Sequence, residues 1–129
     1  MSIPAILCVD DEVMILDSLK EQLLRRFGAR YLYETASSAH EAWEVIDDLC
    51  ADGIEVLIIV SDWLMPGVRG DEFLAQVHSR HPKIVTVLLT GQADEASIER
   101  ARRDANLHAC LHKPWSESEL AQVIESALQ

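Results

Sequence analysis

Five side chains in this sequence could carry out chemistry together, and each lies at or just beyond the end of a short apolar segment. They are the carboxylates of Asp10, Asp11 and Asp62, the hydroxyl of Thr90 and the ammonium of Lys113. A carboxylate can attack phosphorus to give an acyl phosphate, and carboxylate oxygens are ligands for Mg²⁺. A hydroxyl and an ammonium can hold the remaining phosphoryl oxygens. The set therefore indicates a magnesium-dependent site at which a carboxylate accepts a phosphoryl group.

Asp62 is the predicted acceptor because it follows the predicted central strand. Residues 54–60 are aliphatic except for Glu55, which is typical of a strand buried on both faces, and we expect this strand to end at Ser61. Pro66 and Gly67 then impose a turn. Taken alone, an aspartate in such a place more often serves only to begin the turn. The charged residues at the other strand ends favour a functional role.

The elements that position these residues follow a repeating pattern. Apolar segments predict strands, and a helical pattern follows each of them; the segments are residues 3–9, 31–35, 54–60, 84–89 and 107–111. The alternation predicts an α/β fold in which a five-stranded parallel sheet carries helices on both faces. We expect the doubly wound, flavodoxin-like strand order 2-1-3-4-5. In that order Asp10 and Asp11 would flank Asp62 as paired metal ligands, within one domain spanning residues 1–129.

The helices carry their own local signals. Ser38 with Glu41, and Ser116 with Glu119, have the spacing of a capping box, which marks the start of a helix. A polar helix is predicted at residues 93–104. The apolar side chains that this helix offers to the core are few, so we expect it to pack lightly; they are Ala96, Ile98 and Ala101.

Composition narrows the function classes. The net charge is −11, from 11 Lys and Arg against 22 Asp and Glu, which disfavours direct binding to nucleic acid or to an acidic membrane surface. The sequence shows neither a signal-peptide pattern nor an apolar run long enough for a transmembrane helix, so we expect a soluble, cytoplasmic protein.

The cysteines and histidines do not indicate a further site. Cys8, Cys50 and Cys110 lack metal-like spacing, and we expect them to be reduced and buried. His78 and His81 lie three residues apart, but no cysteine or acidic partner lies at ligand spacing, which argues against a zinc site.

Four sequence fragments carry a family resemblance over essentially the whole chain. They are CVDDE at residues 8–12, VSDWLMPGVRGDEF at 60–73, LLTG at 88–91 and HKPW at 112–115. Together they resemble the CheY-like receiver domains of two-component response regulators. The resemblance implies that Asp62 receives a phosphoryl group from a histidine kinase or phosphotransfer protein, and that the domain then signals to an output domain or partner protein rather than acting as an enzyme.

The resemblance also assigns roles around the acceptor. It implies that Mg²⁺ is held by Asp10, Asp11, Asp62 and the backbone carbonyl of Trp63 or Leu64. Thr90 and Lys113 would stabilise the phosphoryl group, and the Lys113-Pro114 bond would be cis. The resemblance also allows a homodimer of this chain through the face made by the fourth helix, the fifth strand and the fifth helix.

One position departs from the family pattern. Receivers commonly have Tyr or Phe three residues before the lysine, where this chain has Cys110. We therefore expect the signal to leave through the loop after Thr90 and the helix at 93–104.

Two other functions remain open. The first alternative is an unphosphorylated pseudo-receiver that acts as an interaction module. The second is an aspartate-nucleophile phosphatase, which the adjacent acids Asp10 and Asp11 argue against, because that class favours an Asp-x-Asp spacing.

Overall fold

The structure is a computed structural model that describes residues 3–91 and 95–129. The strands are β1 (Ala5–Val9), β2 (Leu32–Ala36), β3 (Val56–Asp62), β4 (Val85–Thr90) and β5 (Ala109–His112). The α-helices are α1 (Val13–Phe27), α2 (Ala39–Ala51), α3 (Gly70–Arg80), α4 (Glu95–Asp104) and α5 (Glu117–Ala127). Strands and helices alternate along the chain as predicted.

The sheet has the predicted topology. Its strands are all parallel and lie in the order β2-β1-β3-β4-β5, which confirms the doubly wound, flavodoxin-like α/β fold. β3 lies in the middle, between β1 and β4. The carboxyl ends of these three strands are therefore neighbours at one edge of the sheet.

Four strands extend further toward that edge than expected, and β2 and β5 do so by one residue each. The prediction that β3 ends at Ser61 is wrong, because the strand continues through Asp62, which pairs in register with Leu89 of β4. β4 likewise includes Thr90. Backbone pairing continues there although the side chains have become polar, and these polar residues are buried. β5 also begins later than predicted, at Ala109 rather than at residue 107.

The sheet separates two hydrophobic layers. One layer packs α2, α3 and the partly buried Ile98 of α4 against one face of the sheet, which includes Leu7 and Ile59. The other layer packs α1 and α5 against the opposite face, which includes Cys8 and Val60. Successive side chains of a strand point to opposite faces, which accounts for the division. Both faces are covered by helices, as predicted.

The polar helix α4 packs differently in detail from the prediction. Ala101 is buried and Ile98 is half-buried, as expected, but Ala96 is exposed. Ser97 is buried in its place. The helix therefore contributes a hydroxyl and little apolar surface to the layer that it covers. Residues 93 and 94, which the prediction included in this helix, lie outside the described residues.

The helix starts confirm one capping box and correct the other. In α5 the Glu119 N–H donates to Ser116 Oγ at 3.1 Å, and the Ser116 N–H donates to Glu119 Oε1 at 3.1 Å. In α2 the Glu41 N–H donates to Ser38 Oγ at 3.1 Å, but the Glu41 carboxylate accepts from the Ser37 hydroxyl at 2.8 Å. The neighbouring serine thus takes the place of the expected backbone donor.

The cysteines are less uniformly buried than predicted. Cys8 is buried in β1 and Cys110 is half-buried in β5, but Cys50 is exposed. Cys50 follows Leu49, which belongs to the buried stripe of α2, and one residue further along a helix turns the side chain toward solvent.

Among residues 3–91 and 95–129, no helix has both the length and the apolar character needed to cross a membrane.

Candidate functional site

The structure brings the five candidate side chains to one edge of the sheet. Asp10 and Asp11 follow β1, Asp62 ends β3, Thr90 ends β4 and Lys113 follows β5. Ligands bind at this edge of open parallel sheets, at the point where the strand order reverses. That point lies here between β1 and β3.

The three carboxylates form a compact cluster. One oxygen atom from each of Asp10, Asp11 and Asp62 lies within 4.8 Å of the others. Asp10 is fully buried and Asp62 is 5% exposed, whereas Asp11 is exposed. In the part of the chain that the structure describes, this is the only group of three or more such side chains close enough to hold a metal ion. His78 and His81 are not members of this group.

A single ammonium bridges the two buried carboxylates. Lys113 Nζ lies 3.0 Å from Asp10 Oδ2 and 3.1 Å from Asp62 Oδ1. The second oxygen of Asp10 accepts the Glu12 backbone N–H at 2.8 Å, so both of its oxygens are paired. The Lys113-Pro114 bond that follows is cis, as predicted. One cation thus offsets part of the repulsion between two buried negative charges.

The charges around Asp62 shift its protonation. Burial, followed by the nearby charge of Asp10, raises the pKa of the Asp62 carboxyl to about 6, although Lys113 acts in the opposite direction. Burial lowers the pKa of Lys113, but its hydrogen bonds to Asp10 and Asp62 outweigh this effect and the net pKa is raised. Lys113 therefore stays charged near neutral pH, while Asp62 ionises less readily than an ordinary aspartate. A cation that joins the cluster would favour the ionised form of Asp62.

A cavity of about 370 Å³ lies in front of the acceptor candidate. Its lining consists of Asp11, Glu12, Asp62, Trp63, Leu64, Thr90, Gly91 and Lys113. Three acidic residues, a threonine and a lysine therefore line the same space. Sequence reasoning had missed Glu12 and Gly91, and the available signal was their position directly beside predicted site residues.

Backbone contacts hold the loop between β3 and α3 against the sheet. The Trp63 N–H donates to the Leu89 carbonyl of β4 at 2.9 Å, and the Trp63 carbonyl accepts the Gly70 N–H at 2.7 Å. At the start of α3, the Arg69 guanidinium makes two bonds of 3.2 Å to the buried carboxylate of Asp71. Both ends of the loop that follows Asp62 are thereby fixed.

The chain is a doubly wound α/β protein that carries an acidic, lysine-containing pocket at the carboxyl edge of its sheet. The sequence model of the response regulator receiver domain matches residues 6–125. The chain belongs to this family of two-component signalling domains.

Individual relatives agree with this assignment. The chain is 33% identical over 124 residues to the hydrogenase transcriptional regulatory protein HoxA of Cupriavidus necator, a match that covers 96% of this chain and 24% of HoxA. It is 32% identical over 125 residues to the sensor kinase CckA of Brucella abortus, covering 96% of this chain and 12% of CckA. The chain thus spans a quarter or less of these two relatives.

A solved structure also shares the fold throughout. The signal receiver domain of an HD domain-containing protein from Pseudomonas fluorescens Pf-5 superposes with a TM-score of 0.86 at 31% identity. The superposition covers 98% of this chain and 95% of that domain.

Proposed function

We propose that this domain is a phosphoacceptor switch in which Asp62 receives a phosphoryl group from a phosphohistidine of a histidine kinase or phosphotransfer protein. The observation that carries the proposal is the contact of one ammonium, Lys113, with both Asp10 and Asp62 inside a cluster of three carboxylates. A charged lysine beside a buried carboxylate is suited to bind the oxygens of an incoming phosphoryl group.

In the transfer step, phosphorus exchanges its bond to the histidine nitrogen for a bond to an Asp62 oxygen. An oxygen of Asp62 forms a bond to phosphorus while the bond from phosphorus to the imidazole nitrogen breaks. The electron pair of that bond returns to the imidazole, which takes up a proton. Lys113 and Thr90 donate hydrogen bonds to phosphoryl oxygens of the resulting acyl phosphate. Hydrolysis of the acyl phosphate by water would later release phosphate and regenerate Asp62, so the domain catalyses only its own modification.

The donor set fits a magnesium ion. Asp10, Asp11 and Asp62 offer carboxylate oxygens close together. Burial and the charge of Asp10 raise the pKa of Asp62, and a bound cation would offset both effects. Of the two backbone carbonyls expected as further ligands, that of Trp63 already accepts the Gly70 N–H, so we favour that of Leu64. When bound, Mg²⁺ would neutralise charge on the transferring phosphoryl group.

The remaining parts of the proposal concern partners and setting. We propose that residues 1–129 form one receiver domain that acts in the cytoplasm. Its phosphorylated surface would act on an output domain or a partner protein and would not bind nucleic acid directly, since the net charge is −11. A homodimer would use the face formed by α4, β5 and α5.

One experiment tests the central step. The protein is incubated with Mg²⁺ and acetyl phosphate, and its intact mass is measured with time. We expect the addition of one phosphoryl group to the parent and none to Asp62→Asn. Asp52→Asn is the control, because Asp52 is exposed and lies outside the cavity, so this variant should be labelled like the parent.

The outcomes separate the proposal from its rivals. A parent that stays unlabelled would favour the pseudo-receiver, and equal labelling of Asp62→Asn would move the acceptor elsewhere. Continuous hydrolysis of a phosphate ester without net labelling would favour a phosphatase.

A further inference from the structure

Four of the five glycines of this chain fall into two kinds, and the fifth, Gly91, would place a Cβ at an ordinary 3.9 Å from the Lys113 Cβ. Gly28, Gly53 and Gly67 have positive φ, and a Cβ added to any of them would meet nothing within 4 Å. Gly70 is the reverse case, because its φ is not positive but a Cβ there would lie 1.9 Å from the carbonyl oxygen of Asp62. Gly70 is therefore explained by the space that a side chain would need, and not by backbone conformation.

Helix formation does not explain Gly70 either. It is the first residue of α3, and glycine is one of the weakest helix formers. Its backbone lies at the end of β3, where it is buried against the main chain of the acceptor. The added Cβ would also lie 2.8 Å from the carbonyl carbon of Asp62. Both close atoms belong to the backbone, which cannot turn aside as a flexible side chain can.

The carbonyl of Asp62 is contacted from two sides. The Ser61 hydroxyl donates to it at 3.1 Å, and Gly70 lies against it from the start of α3. The Gly70 N–H also donates to the next carbonyl, that of Trp63, at 2.7 Å. The same glycine thus contacts the acceptor residue and fixes the loop that follows it.

We propose that Gly70 is a positioning residue for phosphoryl transfer: by lacking a side chain it lets α3 begin against the Asp62 main chain and so sets the direction of the acceptor carboxylate. This inference rests on the proposed function, in which Asp62 is the phosphoacceptor. Gly70 does not line the cavity, and it would act only through its contacts with Asp62 and Trp63.

The inference predicts that Gly70→Ala lowers the labelling rate of the molecules that remain folded, beyond any decrease in the folded fraction. A methyl group at position 70 must displace either the Asp62 carbonyl or the first turn of α3. A displacement of about 1 Å at a reacting group can lower a rate about 100-fold. Ala at this position is otherwise a better helix former than glycine, so helix propensity opposes a loss of stability.

The test compares two alanine substitutions in one loop. Gly70→Ala places a methyl group against Asp62, whereas Gly67→Ala strains a residue at φ +89° and meets open space. Labelling by acetyl phosphate with Mg²⁺ is followed by intact mass and divided by the folded fraction, which is measured by circular dichroism at the same temperature. Trp63 fluorescence gives the Mg²⁺ concentration at half-saturation.

We expect the parent and Gly67→Ala to label at similar rates per folded molecule. Gly70→Ala should label about 30- to 100-fold more slowly and require more Mg²⁺ for half-saturation. A Gly70→Ala rate equal to that of Gly67→Ala would overturn the inference while leaving the proposed function intact. An unlabelled parent would instead overturn the proposed function, and the inference with it.

A second variant decides the matter if Gly70→Ala does not fold. Ser61→Ala removes the hydroxyl that donates to the same Asp62 carbonyl and adds no volume. Slower labelling of folded Ser61→Ala would support positioning through this carbonyl. A rate equal to the parent's would overturn it.

Discussion

The ammonium of Lys113 lies 3.1 Å from Oδ1 of Asp62, in direct contact with the carboxylate that we assign as the phosphoacceptor. The same ammonium lies 3.0 Å from Asp10 Oδ2. Lys113 therefore stabilises the carboxylate cluster before a metal ion or a phosphoryl group binds. It is also already in position to contact a phosphoryl group on Asp62. Removing this ammonium should lower both the free energy of unfolding and the rate of phosphoryl transfer to Asp62.

Lys113→Met should destabilise the metal-free protein at pH 7.5. It leaves two buried carboxylates without their shared cation, and breaking a buried pair in this way costs about 3 kcal/mol. Urea unfolding measures the change, with Lys20→Met as the matched control because Lys20 is exposed on α1. Labelling by acetyl phosphate should also slow. Equal unfolding midpoints for the two variants would contradict this role of Lys113.

Asp62→Asn should stabilise the metal-free protein at neutral pH. The folded-state pKa of Asp62 is raised from 3.8 to about 6, so the folded protein binds this proton more tightly than the unfolded chain. Stability is therefore lost as pH rises from about 4 to 6, and the loss is complete above that range. The shift corresponds to at most about 3 kcal/mol.

Urea unfolding in EDTA measures this gain at pH 7.5 and at pH 4, where it should vanish. Asp52→Asn, an exposed position, should show no such pH dependence. A gain for Asp62→Asn of the same size at both pH values would contradict the pKa assignment.

Magnesium binding should be detected by Trp63 and should weaken in acid. Trp63 lines the cavity beside Asp62, so its fluorescence should change on Mg²⁺ titration. Protons compete with the metal for the Asp62 carboxyl, and the half-saturating Mg²⁺ concentration should rise about tenfold per pH unit below the pKa of about 6. Asp11→Asn should weaken binding at every pH.

Trp63→Phe controls for the background signal of Trp43 and Trp115. A flat titration in the parent, or an unchanged one in Trp63→Phe, would count against Trp63 as the reporter.

Phosphorylation should alter α4 more than β5. Cys110 is half-buried and has one heavy atom beyond its Cβ, so its movement would fill little space next to Thr90. α4 offers few apolar contacts to the layer that it covers, and helices with few such contacts open at low cost. Hydrogen exchange with and without beryllofluoride should therefore change in residues 95–104. Changes confined to β5, with α4 silent, would show the idea to be wrong.

Much of the architecture could be predicted because the strands are nearly continuous apolar runs. Such runs are typical of strands buried on both faces, and the alternation with helices leaves few topologies. The carboxyl-edge positions of Asp10, Asp62 and Lys113 followed from that topology. Strand ends were harder to predict, since Ser61 and Asp62 are polar yet belong to β3 and pair with Leu88 and Leu89 of β4.

The details that escaped prediction depend on distances between segments far apart along the chain. Spacing alone could not show that Gly70 packs on the Asp62 carbonyl, or that one ammonium bridges Asp10 and Asp62. The burial of Ser97 in α4 escaped for a related reason, because the helical pattern of a polar segment does not show which side faces the core.

The separation of the hydrophobic core into two layers has an evolutionary consequence. Substitutions distant from one another and without shared partners tend to act independently. Changes on the α1 and α5 side are therefore insulated from changes on the side of α2, α3 and α4. Duplicated copies of such a domain could acquire new partners on one side without disturbing the other. The carboxylates are attached to strand ends between the two layers and belong to neither of them.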